Sequence, residues 1–414
     1  MTHADEQPTQ APASPPPEDD GTRRDPTEDR WHHVLRSITT GNALVAFLSV
    51  LLAMIVGSIL ILATDEEVRE AAGYITARPG DFFGAARDAI TGAYGALFRG
   101  SVYNTRAEDF ETGIRPLTET LKFAAPLITA GLGIGLAFRA GLFNIGGRGQ
   151  MLLAGAAAGW VGTQVDLPFP LHLLVAVAAG MLAGALWAGL AGLLKARTGA
   201  HEVIVTIMLN YVGFYLVFYA LSTQGILQAP GSINPKSLPM DDSAVLPKLV
   251  GERYNLHLGF LLALVAVVVV WWLLSRSSLG YRFRAVGVNP SAARTAGIDV
   301  GRTYVIVMLI AGALVGLAGS NQVLGTVTSG VTVDLDAGIG FDAITVALLG
   351  RSNPFGILAA GLLFGAFKAG GFSMQASEGI PVDIVLVIQS LIVLFIAAPP
   401  LVRAVFRLPA KEAK

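Results

Sequence analysis

The amino-acid sequence predicts an all-α polytopic membrane protein of about ten transmembrane helices, built as two inverted repeats that include a half-helix. Three observations carry this prediction. Hydrophobic residues make up 53% of the 414 and charged residues only 14%, against about 25% charged in a soluble domain. Apolar runs close to the roughly 20 residues that cross a 30 Å hydrocarbon core recur along the chain. Short matching motifs also recur five spans apart. The formal net charge of −1 gives no electrostatic footprint for nucleic acid. The absence of cysteine excludes disulfides, thiolate metal sites and cysteine nucleophiles.

Taken in order, residues 1–30 hold six prolines and eight acids against three arginines. A segment so poor in hydrophobic residues cannot bury enough surface to fold, so 1–36 reads as a disordered cytoplasmic tail. The run 43–63 is too long for a signal-peptide core and reads as a retained first span. Residues 64–116 form an extracytoplasmic segment in which Phe82, Ala86, Ile90, Tyr94 and Phe98 recur every four residues. That stripe suits a helix in the outer interface or one packed across the mouth of the bundle. A first repeat follows over 117–222, with spans at 117–138, 145–165, 171–194 and 203–221. An extracytoplasmic loop (223–256), a transmembrane helix (257–275) and a cytoplasmic loop (276–302) lead to a second repeat over 303–400. Its spans are 304–324, a short element at 341–350, 355–372 and 384–398, before a basic cytoplasmic tail (401–414).

Orientation follows from basic residues near the span ends. Lys195 and Arg197, the arginines of 276–302, and Arg403, Arg407, Lys411 and Lys414 fall on one side, while the connections 166–170 and 325–337 carry none. Both termini are therefore expected in the cytoplasm of a cell with the chain in its cell membrane. Segment 64–116 carries six arginines diluted by nine acids.

The repeat is read from three pairs of motifs. Phe143-Asn144-Ile145 and Phe341-Asp342-Ala343 each open an apolar helix, a Gly-rich span follows each, and Glu202-Val203-Ile204-Val205 and Asp383-Ile384-Val385 open the last span of each half. An offset of five crossings inverts the second half, a plan that places a transport pathway at the repeat interface. Asp342 reads as the cap of a short helix ending at Gly350, and Asn353-Pro354 as the N-cap and N1 of the next. Such a helix spans about 13 Å, which the membrane tolerates only where free backbone groups face protein or water. Gly155/Gly159, Gly180/Gly184, Gly312/Gly316 and Gly361/Gly365 are four-residue repeats that let helix backbones approach.

Chemistry is sparse. No Gly-Lys pair exists, so the chain carries no Walker-type phosphate loop, and His201-Glu202 lacks the second histidine of a zinc helix. Asn144, Arg148 and Gln150 suit either the polar lining of a broken helix or a cytoplasmic turn. In the loop 280–298, Asn289 is placed to cap, Pro290 to fill N1 and Gly297 to end a short basic helix outside the membrane, a docking surface for a cytoplasmic partner.

Four ordered motifs complete the reading: FRAGLFNIGGRGQ at 138–150, EVIVTIMLNY at 202–211, the loop 285–298, and Gly340-Phe341-Asp342 followed by ALLGRSNP at 347–354. Together they resemble the permease subunits of bacterial ABC importers for nucleosides, within the wider branched-chain amino acid and simple-sugar permease group, over about 80–400. The resemblance implies a type II importer with two permease subunits, the second a shorter paralogue, a separate ABC ATPase that hydrolyses ATP with Mg, and an extracytoplasmic substrate-binding lipoprotein. It implies no catalytic residue, metal or cofactor on this chain. The candidate path residues are Phe143, Asn144, Gln150, Glu202, Asn210, Phe341 and Asp342. The candidate coupling residues are Gly287, Asn289, Pro290, Ala292, Ala293, Arg294 and Gly297. Arg148 stands where the motif usually has an acidic or neutral residue. Ribose-like sugars are the alternative substrate, and an ion-coupled secondary transporter the alternative mechanism.

Overall fold

The computed structural model describes residues 42–407; the tail expected over 1–36, and Lys411 and Lys414 of the basic tail, lie outside the described residues. These fold into fifteen α-helices without a β-strand. The first span is α1 (Asn42–Thr64), followed by α2 (Glu66–Ala72) and α3 (Pro79–Ser101). The first repeat comprises α4 (Phe110–Arg139), α5 (Gly147–Gln164), α6 (Leu171–Thr198) and α7 (Glu202–Leu221). Between the repeats lie α8 (Gly259–Arg276), α9 (Ser278–Val288) and α10 (Pro290–Thr295). The second repeat is α11 (Val300–Asn321), which ends in a π turn (Gln322–Thr326), then α12 (Ile339–Leu349), α13 (Pro354–Glu378) and α14 (Val382–Ala397); α15 (Pro399–Val405) closes the chain.

Seven of these are long and apolar enough to cross a membrane: α1, α4, α6, α7, α8, α11 with its π turn, and α13. α14 and α15, bent by 95° at their junction, make an eighth. The other two of the ten expected elements are α5 and the half-helix α12, which at about 1.5 Å per residue rises only about 16 Å. α5, at 18 residues, is mostly buried in the bundle, and α12 packs on α4, α5 and α13, as a half-membrane element must find protein partners.

α4 is the hub. Its exposed start is capped by Asp109, which accepts from the Thr112 amide at 2.6 Å; that backbone bond holds the carboxyl below the usual carboxylate range. From Ala124 to Ala137 every residue is buried, because α4 packs on α8, α11, α12 and α13. The helix contacts come in pairs that exchange the two repeats. α4 packs on α12 and α13, and α11 packs correspondingly on α5 and α6.

The glycine repeats explain the tightest of these crossings. A Cβ on Gly184 would stand 2.5 Å from the Gly312 carbonyl oxygen, and one on Gly316 at 2.5 Å from that of Gly180. α6 and α11 thus meet backbone to backbone. With lipid as apolar as leucine, such close packing replaces the hydrophobic drive that holds soluble helices together. Gly361 and Gly365 play the corresponding part where α13 crosses α4.

The structure refines several sequence expectations. The α3 stripe resolves into a packed helix: Ala86, Ala93, Ala96 and Gly100 are buried, α13 and α1 lie against it, and the Tyr94 hydroxyl donates to the Met54 carbonyl at 2.6 Å. Phe98 of the expected stripe is exposed. Asp342 does not cap the half-helix. α12 starts two residues before the expected Phe341, with left-handed Gly338 (φ 78°) at its N-cap, so Asp342 already lies within the first turn. Likewise α5 begins at Gly147 rather than at Phe143-Asn144. The connection 276–302 holds an additional helix, α9, whose N-cap Ser277 accepts from the Gly280 amide.

At one end of the bundle, two long connections interlock. The Met240 amide donates to Thr328, that of Leu246 to Leu324, and that of Val331 to the Ser237 hydroxyl. Leu227, Met240, Ala244 and Leu246 enter a core with Val323, Leu324, Val331 and Leu335. Hydrogen-bonded and anchored by these four buried side chains, segment 223–256 belongs to the folded body.

Candidate translocation site

The two repeats meet where α5 and α12 begin. A Cβ on Gly147 would lie 2.6 Å from the Gly340 carbonyl oxygen, so only glycine permits this approach. The two sequence motifs thus converge through the glycines beside them, within a few residues of Asn144 and Asp342.

On the first-repeat side the polar groups satisfy one another. Asn144 and Gln150 form a reciprocal amide pair at 3.0 and 3.3 Å, and Asn144 also accepts from the Gly146 amide at 2.9 Å. α5 has no side-chain cap of its own. Asn210 on α7 supplies one, accepting from the Gly149 amide at 2.8 Å and donating to the Ile145 carbonyl at 2.9 Å. Thr206, one turn earlier on α7, accepts from the Ile145 amide at 3.2 Å. All four side chains are buried. Glu202 pairs with Lys195 at 2.8 Å where α6 gives way to α7, and its carboxylate also meets the Phe143 backbone.

The second-repeat side carries charge. Asp342 pairs with Lys368 of α13 at 3.3 Å, and Lys368 also donates to the Ala337 carbonyl at 2.8 Å. Asp336 pairs across the repeat boundary with Arg148 at 3.4 Å, and the Arg148 guanidinium lies over the Phe214 ring at 5.3 Å. Two cations and two anions balance. Between the pairs, Ala337 (φ 46°) and Gly338 (φ 78°) both take left-handed conformations. For alanine that costs about 1–2 kcal/mol, a strain that ion pairs on both flanks hold in place.

Phe143 stacks on Phe138 with centroids 4.7 Å apart, and both Phe143 and Phe341 are partly exposed. The path candidates therefore divide. Phe143 and Phe341 offer surface, Asp342 is held in an ion pair, and Asn144, Gln150 and Asn210 build the support beneath. Sequence reasoning missed Asp336, Thr206 and Lys368. Lys368 carried a readable signal, a lone cation within the apolar run 355–372.

The coupling candidates form a second site. Asn289 ends α9 and caps α10, accepting from the Ser291 and Ala292 amides at 3.0 Å each. Pro290 occupies N1 and Gly297 turns the chain at φ 79°. Ala293 is buried against Val286 and Val300, so Arg294 and Ser291 remain on the exposed face. Gly287 packs on the α4 end, next to the Arg139 carbonyl.

Residues 117–397 match the model of the family described as "Branched-chain amino acid transport system / permease component". The chain is similar to the guanosine ABC transporter permease protein NupP of Bacillus subtilis, 40% identical over 291 residues, covering 69% of this chain and 82% of that protein. It is similar to the glucose ABC transporter permease protein TsgB13 of Haloferax volcanii, 37% identical over 289 residues (68% and 75%). It is also similar to the nucleoside ABC transporter permease protein NupB of Lactococcus lactis, 34% identical over 298 residues (68% and 79%).

Proposed function

The chain belongs to the family of permease components of branched-chain amino acid type transport systems, and from that premise we propose that it forms the translocation path of an ATP-driven nucleoside importer. It is a multi-pass membrane protein of the ABC permease type. The observation that carries the substrate class is the similarity to two nucleoside permeases across both repeats. A sugar is the second reading, favoured by the comparable similarity to a glucose permease.

In this reading α5 and α12 abut at the path, with Phe143 and Phe341 exposed to cargo. Glu202 at the start of α7 and Asp342 at the half-helix fix neighbouring helix ends. α10 docks on a separate ABC ATPase through Ser291 and Arg294, with ATP and Mg held by that partner. The outward faces of α7, with Met208, Tyr211, Tyr215 and Tyr219 exposed, suit contact with a second permease subunit, a shorter paralogue, or with lipid. An extracytoplasmic lipoprotein delivers substrate to the end formed by 223–256, and both termini lie in the cytoplasm of the cell whose membrane holds the chain.

The test is uptake by the assembled importer in proteoliposomes with ATP at the nucleotide-binding side. Labelled guanosine and uridine are expected to accumulate with ATP hydrolysis, and labelled glucose and ribose to fail. Sugar-only uptake overturns the nucleoside reading. Uptake that collapses with the ion gradient at constant ATP overturns the ABC mechanism.

A further inference from the structure

A cavity of about 240 Å³ opens between α4 and the helices of the second repeat. Its size falls just short of the roughly 300–1,000 Å³ of pockets for drug-sized ligands, which suits a smaller molecule. Phe123, Phe367 and Phe372 line it together with four polar side chains: Gln322, Asp342, Lys368 and Gln389.

The four polar groups are not equally satisfied. Asp342 and Lys368 answer each other at 3.3 Å, leaving a wall that is polar but electrically neutral. Gln322, in the π turn of α11, is only 4% exposed, and its Oε1 has no hydrogen-bond partner. Gln389 of α14 is 5% exposed, and its side chain lines the cavity. Buried amides are normally paired, and the π turn that ends α11 sets Gln322 at the cavity wall. Here two amide side chains, one with an unpaired buried oxygen, line one small cavity with aromatic rings.

We infer that this cavity is a ligand subsite within the permease itself, taking a neutral molecule with hydroxyl or N–H donors on a flat apolar body: a nucleoside. The inference rests on the substrate reading above. Ligand donors complete Gln322 Oε1, and the Gln389 amide supplies both a donor and an acceptor. The phenylalanines provide apolar surface for a base. A phosphorylated ligand finds no free counter-charge, because Lys368 is already committed to Asp342 and the Ala337 carbonyl. Gln389 lies seven residues into α14, about 10 Å along the helix at 1.5 Å per residue, from the turn joining α13 to α14. In the orientation proposed above, that turn faces the side from which substrate arrives.

The experiment photolabels the assembled importer in lipid nanodiscs with tritiated 8-azidoadenosine, with adenosine as competitor. Label is expected on peptides of α13 or α14 that line the cavity. Gln322→Leu and Gln389→Leu are each expected to weaken adenosine competition about three- to tenfold, the scale of one hydrogen bond. The thermal stability of Gln322→Leu should be unchanged or raised, since Gln322 Oε1 has no hydrogen bond within the protein to lose. A purely structural role would instead lower stability. Label outside the cavity, unaltered competition in both variants, or a phospholipid acyl chain filling the cavity in a map of the importer overturns the subsite. Uptake by the same preparation separates the two readings: nucleoside uptake with unaffected variants overturns the subsite alone, whereas absence of nucleoside uptake in the unmodified importer overturns the substrate class.

Discussion

Asn210 shows how a single residue completes a helix it does not belong to. The first turn of α5 is glycine-rich, with Gly146 at its N-cap and no local side chain to receive its amides. From α7, Asn210 accepts from the Gly149 amide and donates to the Ile145 carbonyl. A serine or aspartate at the cap would do part of this locally, but a Cβ on Gly146 would lie 2.8 Å from the Gln150 Nε2 and 3.1 Å from the Asn144 Oδ1. Asn210→Leu leaves a buried donor and a buried acceptor unpaired and is expected to destabilise the protein by about 2 kcal/mol or more, read as a lower Tm in detergent. Tyr211→Phe, on the neighbouring exposed position, is the control and should leave Tm unchanged. The sequence singled out Asn210 by its motif. Its role was hidden, because a cap supplied from 61 residues away has no local pattern.

Elements are more legible than residues. The α10 helix was readable from Asn289, Pro290 and Gly297 because caps and proline act over one turn, and the structure shows the Asn289 oxygen at 3.0 Å from both amides. Ala293→Pro removes the Ala293 amide bond to the Asn289 carbonyl and is expected to cost about 3 kcal/mol locally. Transport and substrate-stimulated ATPase activity should collapse in the assembled importer while membrane insertion persists; normal coupling would show that α10 is only a connector. Asn289→Ala, a cap loss of about 1 kcal/mol, should give a partial version of the same defect. The α6–α11 crossing yields a sharper stability prediction. Gly184→Leu forces a side chain into the Gly312 backbone, beyond the usual overpacking penalty of about 1–3 kcal/mol. Loss of monodisperse protein on gel filtration is expected, whereas Gly199→Ala, where a Cβ meets no neighbour but the φ is 69°, should cost only about 1–2 kcal/mol.

For the whole molecule, topology is the property that basic residues encode and packing does not. Ile233, 95% exposed in the 223–256 connection, and Ser291, exposed on α10, should lie on opposite sides of the membrane. The native chain has no cysteine, so Ile233→Cys and Ser291→Cys each provide one thiol. A membrane-impermeant maleimide applied to intact cells is expected to label only the first. Labelling of Ser291→Cys alone would invert the orientation.

The sequence by itself determined the class of the protein, the positions of its apolar helices, the repeat and the short capped helix α10. Each depends on composition, on a period of a few residues or on a local cap, and each stays legible without neighbours. The tertiary structure decided which helix became the hub, since α4 is no more apolar than α7 yet far more buried. It also decided that α3 packs on the bundle and that 223–256 interlocks with the connection before α12. The same holds for the charges: Lys368 is visible as a lone cation, but its pairing with Asp342 emerges only when α12 packs on α13, and the Arg148–Asp336 pair only when the two repeats meet. In a membrane the apolar helices share a nearly uniform hydrophobicity, so burial is set by shape, by close backbone approach and by pairing of polar groups across long sequence separations.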